Sequence, residues 1–376
     1  MTNQVTPFTI AISDRDLDDL ISRIDAVRWP GGLEAEDWSR GVPTSYLKSL
    51  AQYWQSGFDW RKQEAAINAL PQFTTEIDGQ TFHFVHVKSG RKDSTPIVLC
   101  HGWPGSFVEH LKLIEPLVDD GFDVVVPTLP GFGFSSPLAS HGWDLSRTTH
   151  AYAEIMKRLG YDRYGTHGSD IGAGIAGHLA SYYPDRVIGV HVASERDALS
   201  NAGVFLPLPA DLNEAETAEV NAIKASKRDS DGYARQQGSK PQTLSFGLAD
   251  SPVGQLAWIA EKFKEWTDRS RELPEDAVDR DQLLTNISVY WFTNTAGSSA
   301  QFYWESQHAK GGWTSPSDVP TGWAVFDSAP IVRRVLDPDH KHVHWTDFAP
   351  GGHFPAMEQP ELLVGDIIMF FRGLRG

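Results

Sequence analysis

A carboxylate framed by two glycines is the most chemically loaded feature of this 376-residue chain: His167-Gly168-Ser169-Asp170-Ile171-Gly172. It lies between a strand-like run, Asp162 to Thr166, and a small-residue helix start, Gly172 to Tyr183. A tight strand-to-helix turn can present a nucleophile only if the residues two before and two after it are small, because the backbone folds back on itself there. With Asp170 as nucleophile those positions hold Gly168 and Gly172; with Ser169 they hold His167 and Ile171. The frame therefore selects a carboxylate over a hydroxyl, and an alkyl-ester intermediate over an acyl one.

Two further segments complete a reaction centre. His101-Gly102-Trp103-Pro104-Gly105-Ser106 directly follows the apolar run Pro96 to Cys100. Backbone N–H groups of Trp103 and of Ile171, after the nucleophile, are expected to form an oxyanion hole for the Asp170 carbonyl oxygen when water attacks the ester. Loss of one such donor typically costs about 3 kcal/mol of barrier. Pro104 biases Trp103 toward an extended backbone, which helps to aim its N–H. Of the 14 histidines, only His353 sits in a Gly-rich loop, Pro350 to Phe354, between the last strand-like run and the last helix. An imidazole with a reference pKa of ~6.5 suits a base that activates water near neutrality. His340, His342 and His344 alternate along a strand edge, but no carboxylate or thiol converges on them in the sequence, and no metal site is assigned.

The elements that must position these groups read as a sheet with insertions. Ser13 can cap a first helix whose Leu17, Leu20, Ile21, Ile24 and Val27 share a face, ended by Trp29-Pro30-Gly31-Gly32. Helical stretches follow over 44–60 and 61–70, and this opening is read as a strandless arm, residues 1–72. Short β-like runs then appear at 73–77, 81–87, 96–100 and 124–126; the last two are apolar throughout, as in parallel strands covered on both faces. After a helix over 148–159, the nucleophile segment and a strand at 187–193, the strand–helix rhythm stops between 197 and 310. It returns at 322–326 and 342–348, and closes with a helix over 358–374. The expected organisation is an arm (1–72), a core in two parts (73–196 and 311–376) and a helical lid (197–310).

Composition sets outer bounds. The chain is 40% apolar with 13 Trp and 19 Phe, enough for a substantial core, and its net charge of −16 argues against nucleic acid or an anionic membrane as partner. The single Cys100 excludes an internal disulfide and reads as an inert buried thiol. The N-terminus lacks a secretory pattern and no apolar run reaches a membrane span, so a cytoplasmic protein without membrane anchor is expected.

Over nearly its whole length the chain resembles bacterial and microsomal-type epoxide hydrolases. The resemblance is carried by Arg28-Trp29-Pro30, Leu70-Pro71-Gln72-Phe73, the His101 to Ser106 motif, Pro127 to Ser135, Gly168 to Gly172 and Asp250 to Gly254. It continues in Gln301-Phe302-Tyr303, Val319 to Gly322 and Gly351 to Phe354. It implies an α/β-hydrolase fold: a mostly parallel sheet flanked by helices, with a helical lid and an N-terminal helical arm. It also implies a cofactor-independent reaction in which Asp170 opens an epoxide to a hydroxyalkyl ester, and His353 deprotonates the water that releases a vicinal diol. Two lid tyrosines of the family bind the epoxide oxygen, and the matching positions are Tyr303 and Tyr233.

Two departures from the family stand out. The position after the nucleophile is usually Trp and is Ile171 here, which also argues against a haloalkane dehalogenase-like reading. The acid that orients the histidine is expected three residues after Phe326, where Ala329 stands. Two substitutes remain open: Glu195, after the strand that follows the nucleophile helix, and Asp327, in the expected loop but two positions early. The missing acid also leaves room for a catalytically silent relative that binds a hydrophobic ligand. Lid aromatics (Trp258, Phe263, Trp266, Trp291, Phe292 and Trp304) suit a small-molecule partner, a bulky apolar epoxide. A homo-oligomer, detoxification and secondary metabolism are all compatible with the chain.

Overall fold

The structure, a computed structural model, describes residues 4–31, 37–203, 206, 208–310 and 316–374. The strands are β1 (Thr6–Phe8), β2 (Gln72–Ile77), β3 (Gln80–Val87), β4 (Thr95–Cys100), β5 (Phe122–Pro127), β6 (Tyr164–Gly168), β7 (Val187–Glu195), β8 (Thr321–Phe326) and β9 (His344–Asp347). They form one sheet in the order β1-β2-β3-β5-β4-β6-β7-β8-β9. The β1/β2, β2/β3 and β3/β5 pairs are antiparallel, and every pair from β5/β4 to β8/β9 is parallel. This is the α/β-hydrolase architecture that the sequence motifs imply.

The all-apolar runs become central strands because both faces are covered. Along β4, Val98 and Cys100 face one core layer and Ile97 and Leu99 the other; along β5, Val125 opposes Val124 and Val126 in the same way. Each such side chain, fully removed from water, contributes about 1.5–3 kcal/mol. One layer includes helices Leu145–Arg158 and Asp170–Tyr182, and the other helices Leu111–Asp119 and Pro360–Gly373. Parallel strands all deliver their C-terminal ends to one edge, where ligands bind in open α/β sheets.

Several expectations need correction. The opening arm is not strandless: Thr6–Phe8 pairs with Phe73 and its neighbours and extends the sheet at its edge. Three residues are too short a run to show an alternation, so the pairing is visible only in three dimensions. In the first helix, Asp14–Asp25, Ser13 caps the Asp16 N–H and Leu20 and Ile24 are buried as expected, but Ile21 is 39% exposed. Within the expected helical lid, Asn213 and Glu216 form a reciprocal capping box for Glu214–Ser230, and Gly232–Ser239 follows. Later in the lid, helices Arg280–Phe292 and Ala296–His308 are separated by a turn with Asn294 at φ 53°. The last helix starts at Pro360, whose fixed φ suits a first turn, after a separate short helix Pro355–Glu358.

The histidines of strand β9 and its approach are structural. His344 Nε2 contacts Asp366 Oδ1 at 2.8 Å, and His342 stacks on Trp323 and Trp345. Cys100 is fully buried, and burial pushes its thiol up. Among the described residues, no helix is long and apolar enough to cross a membrane.

Burial also makes the core acid-sensitive. It depresses His83 to about 3, His101 to about 4 and His110 to about 3, and holds His167 well below its ordinary value. In the unfolded chain these groups take up protons below about pH 6.5, while the folded chain excludes them. Glu109 and Glu358, raised by burial to about 7, and His353, held above its ordinary value by Glu195 and Asp170, act in the opposite direction but are fewer. The urea midpoint is therefore expected to fall as pH is lowered from about 7.5 to about 5; a midpoint that stays flat or rises over that window contradicts the assignment of these histidines as neutral.

Candidate active site

Asp170 sits where β6 turns into helix Asp170–Tyr182, at φ 50°. A non-glycine residue adopts that conformation only when its surroundings enforce it. Here the glycine frame enforces it: a Cβ on Gly172 would lie 1.8 Å from the Cys100 carbonyl oxygen, and one on Gly168 would lie 2.2 Å from that of Gly172. The helix thus packs against the end of β4 with no room for a side chain. Ser169 points elsewhere, its Oγ donating to the buried Glu109 Oε1 at 3.2 Å. The structure therefore directs the carboxylate of this pair, and not the hydroxyl, toward His353.

The loop after β4 closes over Asp170. Trp103 N donates to Asp170 Oδ1 at 2.9 Å, and the Ile171 N–H supports the same carboxylate. Gly102 lies so close that a Cβ there would meet Asp170 Oδ1 at 2.3 Å. Helix Arg280–Phe292 braces this loop from behind. Tyr290 OH donates to the Gly105 carbonyl at 2.6 Å, Asn286 Nδ2 donates to that of Pro104 at 2.8 Å, and Ser106 Oγ donates to Asn286 Oδ1 at 2.7 Å. His101 completes the brace: its Nε2 accepts from the Leu129 N–H at 3.1 Å, which leaves Nδ1 to donate to the Gly102 carbonyl.

His353 reaches the carboxylate from the loop after β9. Its Nε2 lies 3.6 Å from Asp170 Oδ2, and its Nδ1 lies 3.1 Å from Glu195 Oε1 at the end of β7. The two open possibilities for the orienting acid are thereby separated. Glu195 contacts the imidazole, whereas Asp327 turns away at φ 44° and pairs with Arg196 at 3.4 Å and Arg269 at 3.3 Å. Asp327 as the partner of His353 is corrected on that ground. Arg196, adjacent to Glu195 in sequence, spends its charge on Asp327 and Glu219 and leaves Glu195 to the imidazole. The loop itself is clamped: His353 N donates to the Trp266 carbonyl at 2.7 Å, and Glu358 accepts from the N–H groups of Phe354 and Asp268.

The electrostatics follow from this packing. Burial alone would push the Asp170 carboxyl up, but His353 and the two N–H donors outweigh it and hold the group below the usual carboxylate range. Burial alone would likewise lower His353, but Glu195 and Asp170 hold it well above its ordinary value. The resting site is a cation between two anions. Glu109 and Glu358 were not singled out from the sequence, because neither belongs to a local pattern; only the fold buries them beside this centre.

The expected tyrosines come together over the carboxylate. Tyr233 and Tyr303 meet edge to face with ring centroids 5.9 Å apart, and Trp103 stacks on Tyr233 at 5.0 Å. Burial, with the Asp170 charge adding to it, pushes both phenols up, so both keep their protons and can donate. Trp266 closes the cage, 4.9 Å from the Tyr233 ring and 5.0 Å from the His353 ring. Of the six lid aromatics named from sequence, Trp266 lines the ≈ 540 Å³ cavity at Asp170 and His353, whereas Phe263 stacks on Phe354 and Trp304 on His308.

A sharp strand-to-helix turn that presents a carboxylate, backbone amides aimed at that carboxylate and a histidine delivered after the last strand place the chain among the α/β-hydrolases. Residues 95–360 match the family model described as "alpha/beta hydrolase fold", and residues 5–110 match that described as "Epoxide hydrolase N terminus". Epoxide hydrolase 1 of Sus scrofa is 34% identical over 97% of this chain and 88% of its own length. A Stigmatella aurantiaca (strain DW4/3-1) protein, provisionally named an epoxide hydrolase, is 41% identical over 99% of this chain and 86% of its own. The juvenile hormone epoxide hydrolase of the silkworm Bombyx mori superposes with a TM-score of 0.86 at 29% identity, over 99% of this chain and 96% of that one. The chain belongs to the epoxide hydrolase family.

The elbow predicts a contrast between two glycines of one helix. In Gly172→Ala the added methyl collides with the Cys100 carbonyl, whereas at Gly177 nothing lies within 4 Å of the added carbon. Gly172→Ala is expected to cost about 1–3 kcal/mol or more and to lower turnover about 100-fold through a displaced nucleophile. Gly177→Ala is expected to be neutral or stabilising by up to ~1 kcal/mol. Thermal unfolding and steady-state rates measured side by side check this; equal behaviour of the two variants contradicts it.

Proposed function

We propose that this protein hydrolyses an epoxide to a vicinal diol through a covalent ester on Asp170. The reading is carried by one observation: the Asp170 carboxylate is held at Oδ1 by the Trp103 N–H, with two protonated phenols packed around the same loop. That leaves Oδ2 to attack an epoxide carbon. The C–O bond breaks, and its electron pair moves to the ring oxygen, which takes a proton from Tyr303 or Tyr233. A phenol suits this role because it can donate without carrying charge.

Ester formation then changes the charge around His353. In the resting site the imidazole faces two carboxylates; alkylation neutralises Asp170 and leaves Glu195 alone. A unit charge at about 4 Å is worth roughly 4 kcal/mol at an effective dielectric of about 20. The imidazolium loses that support, its proton restores the phenolate left by ring opening, and the neutral ring becomes a base at Nε2, which has no hydrogen-bond partner at rest. Water deprotonated there attacks the ester carbonyl, and the oxyanion on Oδ1 is met by the Trp103 and Ile171 N–H groups. Collapse expels the diol with one former carboxylate oxygen and restores Asp170 with an oxygen from water.

The rival dehalogenase reading shares the first step but needs donors for a halide, and Ile171 supplies no side-chain N–H. The contact between Glu195 and His353 supplies the acid whose absence at Ala329 left a silent relative open.

Asp170→Ala is expected to abolish turnover of a styrene-type epoxide; an unchanged rate contradicts the reading. Glu195→Gln is expected to slow ester hydrolysis by about 10²–10⁴-fold, the scale of a triad acid, while Asp327→Asn has a much smaller effect. Removing the Glu195 charge also lowers the proton affinity of His353, so the acidic limb of the ester-hydrolysis profile moves to lower pH. Stopped-flow single turnovers across pH read both effects; the reverse ordering of the two variants contradicts the assignment.

A further inference from the structure

The cavity that reaches Asp170 and His353 is not apolar throughout. Tyr233, Trp266 and His353 line it with Asp170, and Ser200, Asn201 and Lys227 add polar groups to the same lining. Its ionised groups are unequally satisfied. Glu195 faces His353, Asp197 is paired with Arg269, and Asp231 is paired with Arg235 at 2.9 Å. Among the described residues, the Lys227 ammonium has no carboxylate within ion-pair distance. Its Nζ lies 5.5 Å from the centre of the Trp266 ring, the same indole that stands 5.0 Å from the His353 ring. The lysine is therefore one indole away from the catalytic imidazole.

A lysine in the last turn of helix Glu214–Ser230 is favoured by the helix dipole, by about 0.3–1 kcal/mol. That accounts for a lysine near the helix end but not for one that lines a cavity whose carboxylates are already matched. Its charge also reaches Glu195 and helps to hold that carboxyl down, so a purely electrostatic role in the triad is the competing account. The two accounts differ in what they require of the substrate.

We propose that Lys227 is the anchor for an anionic oxygen group on the substrate, so that the preferred epoxides carry a carboxylate or equivalent oxyanion at the end away from the oxirane. An ammonium that faces a partly enclosed cavity is completed by an oxyanion through a charge-assisted hydrogen bond, at a site where solvent competes less than at the surface. The oxirane end of such a molecule meets the aromatic cage and the acidic end meets Lys227. The cavity volume of ≈ 540 Å³ lies within the range that holds a small organic ligand. This inference adds an anionic end to the expected bulky apolar or aromatic epoxide and rests on the epoxide-hydrolysis reading above.

The test compares styrene oxide, a styrene oxide carrying a para carboxyethyl group, and the methyl ester of that acid. For the unmodified enzyme, kcat/KM for the acid is expected to exceed that for the ester by about tenfold, the equivalent of about 1.4 kcal/mol. Lys227→Gln should bring the ratio to about one, Lys227→Glu should invert it, and Lys227→Arg should restore most of it. A ratio near one in the unmodified enzyme overturns the proposal while leaving epoxide hydrolysis intact. Equal losses on acid and ester in Lys227→Gln also overturn it, because they assign the lysine to the Glu195–His353 field. No turnover of any of the three epoxides by the unmodified enzyme overturns the underlying reading, and this inference with it.

Discussion

The site depends on one steric constraint: the first turn of helix Asp170–Tyr182 lies against the carbonyl of Cys100 with no space between them for a methyl group. That contact holds Asp170 in a left-handed conformation, and the conformation aims its carboxylate at the loop that follows β4. Had either framing position carried a side chain, the helix would stand off from the strand and the carboxylate would leave the reach of both the Trp103 N–H and His353. Backbone strain at this point is offset by the close packing of β4 and β6, whose parallel register sets Cys100 opposite Gly168.

The second organising principle is charge. The imidazole is held between the carboxylates of Asp170 and Glu195, so the three groups stabilise one another at rest, a balance that the proposed esterification of Asp170 would remove. Rigid supports keep the distances fixed. Tyr290 and Asn286 tie the oxyanion loop to helix Arg280–Phe292, while the Trp266 carbonyl and Glu358 hold the loop of His353. The helices between β7 and β8 therefore cover the cavity and also carry the braces of the catalytic loops.

What was readable from sequence follows from how local the underlying physics is. The elbow, the loop after β4 and the histidine loop are short segments whose glycines and prolines restrict the backbone by themselves, so their residues stood out without coordinates. The choice between Glu195 and Asp327 was not local: it depended on where Arg196 and Arg269 place their charges, and those partners converge only after folding. Glu109, Glu358 and Lys227 stayed silent for the same reason, since burial beside a distant segment leaves no periodic mark. Strand β1 was hidden by its brevity. Aromatic content misled in the other direction: Phe263 stacks on Phe354 of the histidine loop, Trp304 stacks on His308 of its own helix, and Trp266 is the member of that group that meets the cavity.

The central claim is that the oxygen first delivered to the substrate belongs to Asp170 and not to water. A single turnover in water labelled with heavy oxygen, with enzyme in excess over a styrene-type epoxide, tests it most directly by mass analysis of the diol. The account predicts that the diol of this first turnover is unlabelled and that heavy oxygen appears instead in the Asp170 carboxyl group. Label in the diol from the first turnover, with an unlabelled Asp170, contradicts it.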